Sequence, residues 1–326
     1  LATIEARFRQ LDAEAPDALF ESFVGRTGAL LVELDPGLLD MIHGQADALD
    51  IDPETLLRYD LVSFLSDDLL VRRLPSAPGC TTWAAAGPAT TGGKVMLAKN
   101  RDYHLDHLPL QVLVRAQPES GYRYLYISSA ASPGVYGAGM NEAGLAIGDT
   151  HVYSRDLGPG LPSFSLMMHV LEDHDSVASA LDYLRSVPRL GRNNLILADA
   201  GGHLAVFEGG HTRYGLFETW GGILVNTNHF VSDAMRDCFA PVDPEGWQNS
   251  LARYERASQA LVDAYGQIDD AFARRLAASH DGPLASICCH PRPEATIATG
   301  LFFPGEGQML FCHGLPCEGH FDEVRV

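Results

Sequence analysis

Apolar positions in the first quarter of the chain recur at three- and four-residue spacing. Residues 36–49 and 53–71 carry them on one face (Leu57, Leu61, Phe64 and Leu65 in the second), each with a proline near its start, so residues 1–75 read as helical. The stretch Leu74-Pro75-Ser76-Ala77-Pro78-Gly79 then ends that pattern. From Cys80 the texture changes to short β-rich runs. Residues 80–86 (CTTWAAA) and 93–102 (GKVMLAKNRD) read as two strands joined by a Gly/Pro/Thr turn, with further strands at 111–116, 123–130 and 144–152. Gly139-Met140-Asn141-Glu142-Ala143-Gly144 reads as a turn between two strands. Helices follow at 163–172 and 176–186, the second with Asp175 as its expected N-cap. Strands resume at 193–199, 203–208, 212–218 and 222–226; helices return at 247–265 and 269–279; strands at 296–303 and 308–313 close with a hairpin across Pro304-Gly305. This order predicts an α+β fold in which two sheets carry helices on their outer faces. No internal repeat, heptad or low-complexity tract interrupts it.

Composition narrows the class. At 326 residues the chain can bury a large core, and 46% hydrophobic residues with Gly 32 and Pro 19 describe a turn-rich globular protein. No apolar run reaches the ~18 residues that span a bilayer. The start, LATIEARFRQLDAEAPD, is acidic and helix-like and lacks the basic and apolar regions of a signal peptide, so a cytoplasmic location is expected. Net charge is −19, and Lys94 and Lys99 are the two lysines among 23 basic residues. Such a surface repels phosphates, which excludes nucleic acid and anionic membranes as expected partners. The six cysteines sit in a long chain with no secretory signal and do not read as a disulfide framework. Cys288-Cys289-His290, Cys312-His313, Cys317 and His320 gather near the C-terminus, but they contain no CxxC element and match no standard zinc finger or ribbon. No metal and no cofactor are expected.

The candidate chemistry starts at Cys80. A cysteine at the head of a strand, behind the flexible Pro78-Gly79, would be freed by cutting the Gly79–Cys80 bond. It would then hold a thiol nucleophile and an α-amine base on one residue, the amine having an ordinary pKa near ~8. The plain alternative is a buried structural cysteine. Lys99-Asn100-Arg101-Asp102 ends the second strand, and Asn226-Thr227-Asn228-His229 ends a later one. Read alone, these are a strand-end lysine, a turn acid and a strand-ending turn.

Together, the Gly79-Cys80-Thr81 start, the Lys99-to-Asp102 motif and the Thr227-Asn228 motif resemble the N-terminal-nucleophile (Ntn) hydrolases of the penicillin acyltransferase type. Choloylglycine hydrolases and acid-ceramidase-like amidases are more distant relatives. Gly139-Met140-Asn141-Glu142-Ala143-Gly144-Leu145 is similar to a hairpin of the same family, and the resemblance runs from about residue 30 to the C-terminus.

The resemblance implies a four-layer αββα sandwich over residues 80–326, with residues 1–79 as a helical segment that becomes a propeptide or small subunit. It implies an amidohydrolase or acyltransferase that cuts itself into pieces of 79 and 247 residues, roughly 8.6 and 26.7 kDa by proportion of the 35.3 kDa chain. Cys80 would be the nucleophile, Asp102 would hold the new α-ammonium, and Asn228 would donate its side-chain amide to the oxyanion. Lys99 would stand as a cation beside the thiol, where relatives often carry arginine or glutamine. A 22-residue separation between Cys80 and Asp102 is long for the family, and Thr90-Thr91-Gly92-Gly93 can absorb the excess in the turn. The family's arginine near the Ser286-Ile287-Cys288 stretch has Cys289 at its matching position, with Arg292 as a substitute. The implied partner is a small-molecule acyl amide, with an acceptor amine or a coenzyme A thioester for an acyl transferase; a homo-oligomer is compatible with the pattern. Two other readings stay open. One is an unprocessed cysteine hydrolase pairing Cys80 with His151 or His229, and the other is a non-catalytic binding protein on the same fold.

Overall fold

A computed structural model describes residues 17–65, 79–240, 244–290 and 294–326. Its N-terminal part is three helices, α1 (Asp17–Leu34), α2 (Pro36–Leu49) and α3 (Pro53–Leu65). Asp35 caps α2 by accepting the Leu38 N–H at 3.0 Å, with Pro36 at the first position, where its missing N–H costs nothing. The expected continuation of α3 to Val71 and the proline-rich stretch before Gly79 lie outside the described residues.

Two antiparallel hairpins then open the sheets: β1 (Cys80–Gly87) with β2 (Gly93–His104), and β3 (Gln111–Ala116) with β4 (Tyr124–Ser129). The chain continues through β5 (Ala138–Asn141), β6 (Leu145–His151), α4 (Ser163–Asp173) and α5 (Val177–Ser186). Next come β7 (Asn193–Asp199), β8 (His203–Gly209), β9 (Tyr214–Trp220) and β10 (Gly222–Asn226). Helices α6 (Pro244–Asp263), α7 (Asp270–Ala277) and the short α8 (Gly282–Ala285) precede β11 (Glu294–Phe303), β12 (Gln308–His313) and β13 (Asp322–Arg325).

The strands form one sheet in the order β10-β1-β2-β11-β12-β13 and another in the order β3-β4-β5-β6-β7-β8-β9. Side-chain alternation sorts the core into layers. Ala84, Ala86, Val95 and Leu97 face the gap between the sheets, against Leu125, Ile127, Ala146 and Ile196. Their neighbours Trp83, Ala85, Met96 and Ala98 face outward, against Ala257 and Leu261 of α6 and Ala273 and Leu276 of α7. On the far side Tyr126, Ile147, Leu197 and Phe207 of the second sheet meet Leu31, Leu38, Phe164 and Leu181 from the remaining helices. The architecture is therefore the expected αββα sandwich with a helical N-terminal segment.

Several local expectations are corrected. Ser176, not Asp175, caps α5, because its hydroxyl reaches the Ser179 N–H. The Gly139–Gly144 stretch is a turn only at its end: Gly139, Met140 and Asn141 are strand β5, and Gly144 supplies the positive φ of 87° that closes the hairpin. Strand β13, too polar to announce itself, pairs β12 at the sheet edge. Among the described residues no helix is long and apolar enough to cross a membrane.

Helices α1–α3 share one hydrophobic cluster with α4 and α5. Leu38→Ala, at a fully buried position in that cluster, should cost about 2–5 kcal/mol. Urea denaturation of both proteins would measure it, and an unchanged midpoint would show that α2 does not share the core.

Candidate active site

Cys80 is the first residue of β1 and lies between two neighbours in the ladder. On one side it pairs with Arg101 of β2, and the Asp102 N–H donates to the Gly79 carbonyl at 3.0 Å. On the other side Thr82 pairs with Asn226 of β10, so continuing the register by two residues places Asn228 beside Cys80. The Cys80 N–H donates to Asn228 Oδ1 at 2.8 Å. The Gly79–Cys80 peptide is thus held by a hydrogen bond on each face of the bond.

Alternation along β2 splits the expected site residues between two environments. Lys99 lies on the inter-sheet face with Val95 and Leu97, while Asp102 shares the helix-covered face with Met96 and Ala98. Lys99 is 1% exposed and forms an ion pair with Asp149 at 3.1 Å, also donating to the Asp149 carbonyl. Burial works against its ammonium, but Asp149 and the adjacent Cys80 thiol outweigh that and hold its pKa above the usual lysine value. Asp102 accepts the Thr296 hydroxyl at 2.6 Å. Burial pushes its carboxyl up to about 6, against the pull of Arg253, Thr296 and Lys99.

Arg253 of α6 is the residue that sequence reasoning missed. Its guanidinium is buried and donates to the Cys80 carbonyl at 2.6 Å, Thr81 Oγ1 at 3.0 Å, Asn228 Oδ1 at 2.8 Å and Asn249 Oδ1 at 2.9 Å. Burial lowers its pKa, while Asp102, Cys80 and Cys289 act in its favour. It also explains Gly79, since a Cβ there would stand 2.5 Å from Arg253 Nη2. Sequence matching put Cys289 where an arginine was expected near Ser286, and the cation that acts on Cys289 is Arg253, from α6. Arg292, the other candidate, lies outside the described residues.

Asn228 differs from expectation in orientation. Because Arg253 can only donate, the Asn228 oxygen turns toward Arg253 and Cys80, and its Nδ2 donates to the His151 carbonyl at 2.9 Å. That nitrogen is therefore engaged by a backbone carbonyl, where the expectation had it free to donate to a substrate oxygen. Asn226 is buried on the inter-sheet face and lines a cavity of about 250 Å³ with Asn194, Glu208 and His229, a cavity that Cys80 does not line. His229 spends Nδ1 on Thr227 Oγ1 (3.1 Å) and Ser250 Oγ (2.8 Å). Burial and then Arg253 push its pKa down to about 4, which makes it a neutral structural group.

With this geometry in place, comparison with known proteins gives a family match. The model of the acyl-coenzyme A:6-aminopenicillanic acid acyl-transferase family matches residues 89–317, which include Lys99, Asp102, Asn228 and Arg253 and begin after Cys80. An uncharacterized protein of Archaeoglobus fulgidus is 22% identical over 216 residues, covering 58% of this chain and 35% of the relative, so this chain spans about a third of that relative's length. Among solved structures, penicillin V acylase from Agrobacterium tumefaciens aligns at 18% identity and a TM-score of 0.49, covering 76% of this chain and 86% of that one. The C2A mutant of conjugated bile acid hydrolase from Clostridium perfringens aligns at 12% and 0.49, covering 76% and 92%.

Replacing Arg253 tests the charge pairing. Arg253→Met strands the Asp102 carboxylate and the acceptors around it, which should cost about 3–5 kcal/mol near neutral pH. Asp102 is raised from 3.8 to about 6 in the folded protein, so the stability it contributes is complete below 3.8 and lost as pH rises through about 6. Without Arg253 that loss becomes larger. Urea titrations should therefore show a smaller deficit for the variant at pH ~5 than at pH ~8. Equal deficits would mean that Asp102 is not the partner of Arg253.

Proposed function

The chain belongs to the acyl-coenzyme A:6-aminopenicillanic acid acyl-transferase family, and on that premise we propose that it is a cysteine Ntn amidohydrolase or acyltransferase, activated by its own cleavage at Gly79–Cys80. The observation that carries this reading is the bracketed Gly79–Cys80 peptide, with its carbonyl on the Asp102 N–H, its N–H on Asn228, and the Cys80 thiol beside the Lys99 ammonium.

In the proposed activation the Cys80 sulfur attacks the Gly79 carbonyl carbon. Negative charge gathers on the Gly79 oxygen, which the Asp102 N–H already contacts. The C–N bond breaks, the nitrogen takes the thiol's proton to become the α-amine, and Gly79 is left on sulfur as a thioester. Water then adds its hydroxyl to the Gly79 acyl group and returns a proton to sulfur. Residues 1–79 end in a carboxylate and Cys80 becomes an N-terminus.

Turnover of an N-acyl amide repeats the same exchange with an external carbonyl. The thiolate, countered by Lys99, forms an acyl-enzyme, and the leaving amine takes the proton that the Cys80 α-amine removed from sulfur. Water or an acceptor amine then resolves the thioester. Asp102 and Asn228 orient the α-amine, and Arg253 fixes Asn228 and the Cys80 backbone as a positioning residue. His229 is not favoured as the base, because its Nδ1 is occupied by Thr227 and Ser250.

Denaturing mass spectrometry tests the activation. The wild type should give two pieces with a new N-terminus at Cys80, and Cys80→Ala should remain whole. An uncut wild type would sink self-activation. Because α1–α3 share a core with the rest, the two pieces should co-elute in native size exclusion. Gly79→Ala should slow the cut, since its methyl displaces Arg253; cleavage at the wild-type rate would remove Arg253 from the positioning role.

A further inference from the structure

The folded chain gathers residues that sequence spacing kept apart. His280 follows α7, Cys288 and His290 lie on the segment that leads to β11, and Cys317 lies between β12 and β13. Their ligand atoms all lie within 4.8 Å of one another. Cys288 Sγ is 3.6 Å from Cys317 Sγ, His290 Nε2 is 2.9 Å from Cys317 Sγ, and the His280 and His290 ring centroids are 4.7 Å apart. The remaining members of the C-terminal set, Cys289, Cys312, His313 and His320, fall outside this cluster.

We propose that His280, Cys288, His290 and Cys317 form a Cys2His2 site for a zinc ion. Tetrahedral zinc with bonds of ~2.3 Å to sulfur and ~2.0 Å to nitrogen separates its ligand atoms by ~3.3–3.8 Å. The sulfur pair already has that spacing, and the His290 contact needs only to open slightly. Two thiolates and two imidazoles select zinc over magnesium or calcium, which take oxygen ligands. Four protein ligands fill the tetrahedron, so the site is structural and not a hydrolytic centre. A disulfide would account for Cys288 and Cys317 alone, and would leave two imidazoles converging on it without a role.

The position gives the site a purpose. Cys289, between two of the ligands, donates its N–H to Thr296 Oγ1 at 2.8 Å, and that hydroxyl donates to Asp102. Asn100 Nδ2 holds the neighbouring Ile287 carbonyl at 2.9 Å. The ion would therefore staple the C-terminal segment at Cys317 to the segment that orients Thr296 toward Asp102. No metal was expected from the sequence, because these residues contain no CxxC element and follow no standard finger or ribbon spacing; folding adds His280, which stands apart from the Cys/His-rich stretch.

The test is metal analysis of the full-length protein, purified under reducing conditions and dialysed. About one zinc per chain is expected, and cobalt exchanged into the site should show the visible bands and thiolate charge transfer of a tetrahedral Cys2His2 centre. Cys317→Ser and His290→Asn should each weaken cobalt binding by more than the ~10–100-fold typical of an outer-shell loss, while His320→Asn keeps it. Chelation should lower the Tm, and zinc but not magnesium should restore it. Reduced wild-type protein that takes up no more zinc or cobalt than Cys317→Ser would overturn the proposal. So would a Cys288–Cys317 disulfide that yields no zinc uptake after reduction.

Discussion

One buried cation organises the end of β1. Removing a guanidinium from water costs several kcal/mol, and its five donors need acceptors or the cost rises. Arg253 meets that demand from one point on α6 by drawing in the Cys80 carbonyl, the Thr81 hydroxyl and the amide oxygens of Asn228 and Asn249. The acceptors come from three parts of the site, so satisfying the arginine fixes β1, the turn after β10 and α6 relative to one another. The same demand decides which way Asn228 turns, and it leaves no room for a side chain at residue 79.

The second constraint is the two-residue period of a strand. Lys99 and Asp102 are three apart and therefore point to opposite faces of the sheet. Each has a local counter-charge: Asp149 reaches Lys99 from the second sheet, and Arg253 faces Asp102 from the helical layer. Cys80 sits in the neighbouring strand between them. Its sulfur meets the lysine while its backbone meets the arginine, so one residue is addressed from both sides of the sheet. A helix could not present its first residue in this way, because its side chains and its end share one surrounding. A strand at the mouth of a sandwich can.

Most of the fold was legible because periodicity and turn residues are local. The 36–49 helix, the 111–116 and 222–226 strands and the 308–313 hairpin arm fall where their patterns place them. Strand β13 was not, since Asp322, Glu323 and Arg325 carry no apolar alternation and pair only at an edge. In the site, Cys80, Lys99, Asp102 and Asn228 were legible as motifs at strand ends. Arg253 was not, because an arginine in an amphipathic helix is indistinguishable from a surface one until the helix docks. A signal did exist: Asn249, Arg253, Ala257 and Ala260 share one face of α6, and an arginine on an alanine-lined face must be buried and paired. Asp149 and Thr296 were hidden for a similar reason, since Asp149 reaches the site from the second sheet and Thr296 from a strand almost two hundred residues away in sequence.

Charge counting clarifies what cleavage would change on the proposed reading. In the uncut chain the Lys99–Asp149 ion pair is neutral, the Arg253 and Asp102 charges offset one another through space, and Cys80 adds nothing because its nitrogen is an amide. Cutting the peptide would put a basic amine where that amide stood, 2.8 Å from the Asn228 oxygen and on the residue whose carbonyl Arg253 holds. Neighbouring positive charge disfavours the ammonium, and the Asn228 oxygen and the Asp102 carboxylate favour it. An amine set between these opposing influences would be placed to exchange a proton with the sulfur, which is what a general base must do. Lys99 meanwhile remains to balance the sulfur. The arrangement that holds the peptide before cleavage thus already contains the groups that would tune the amine after it.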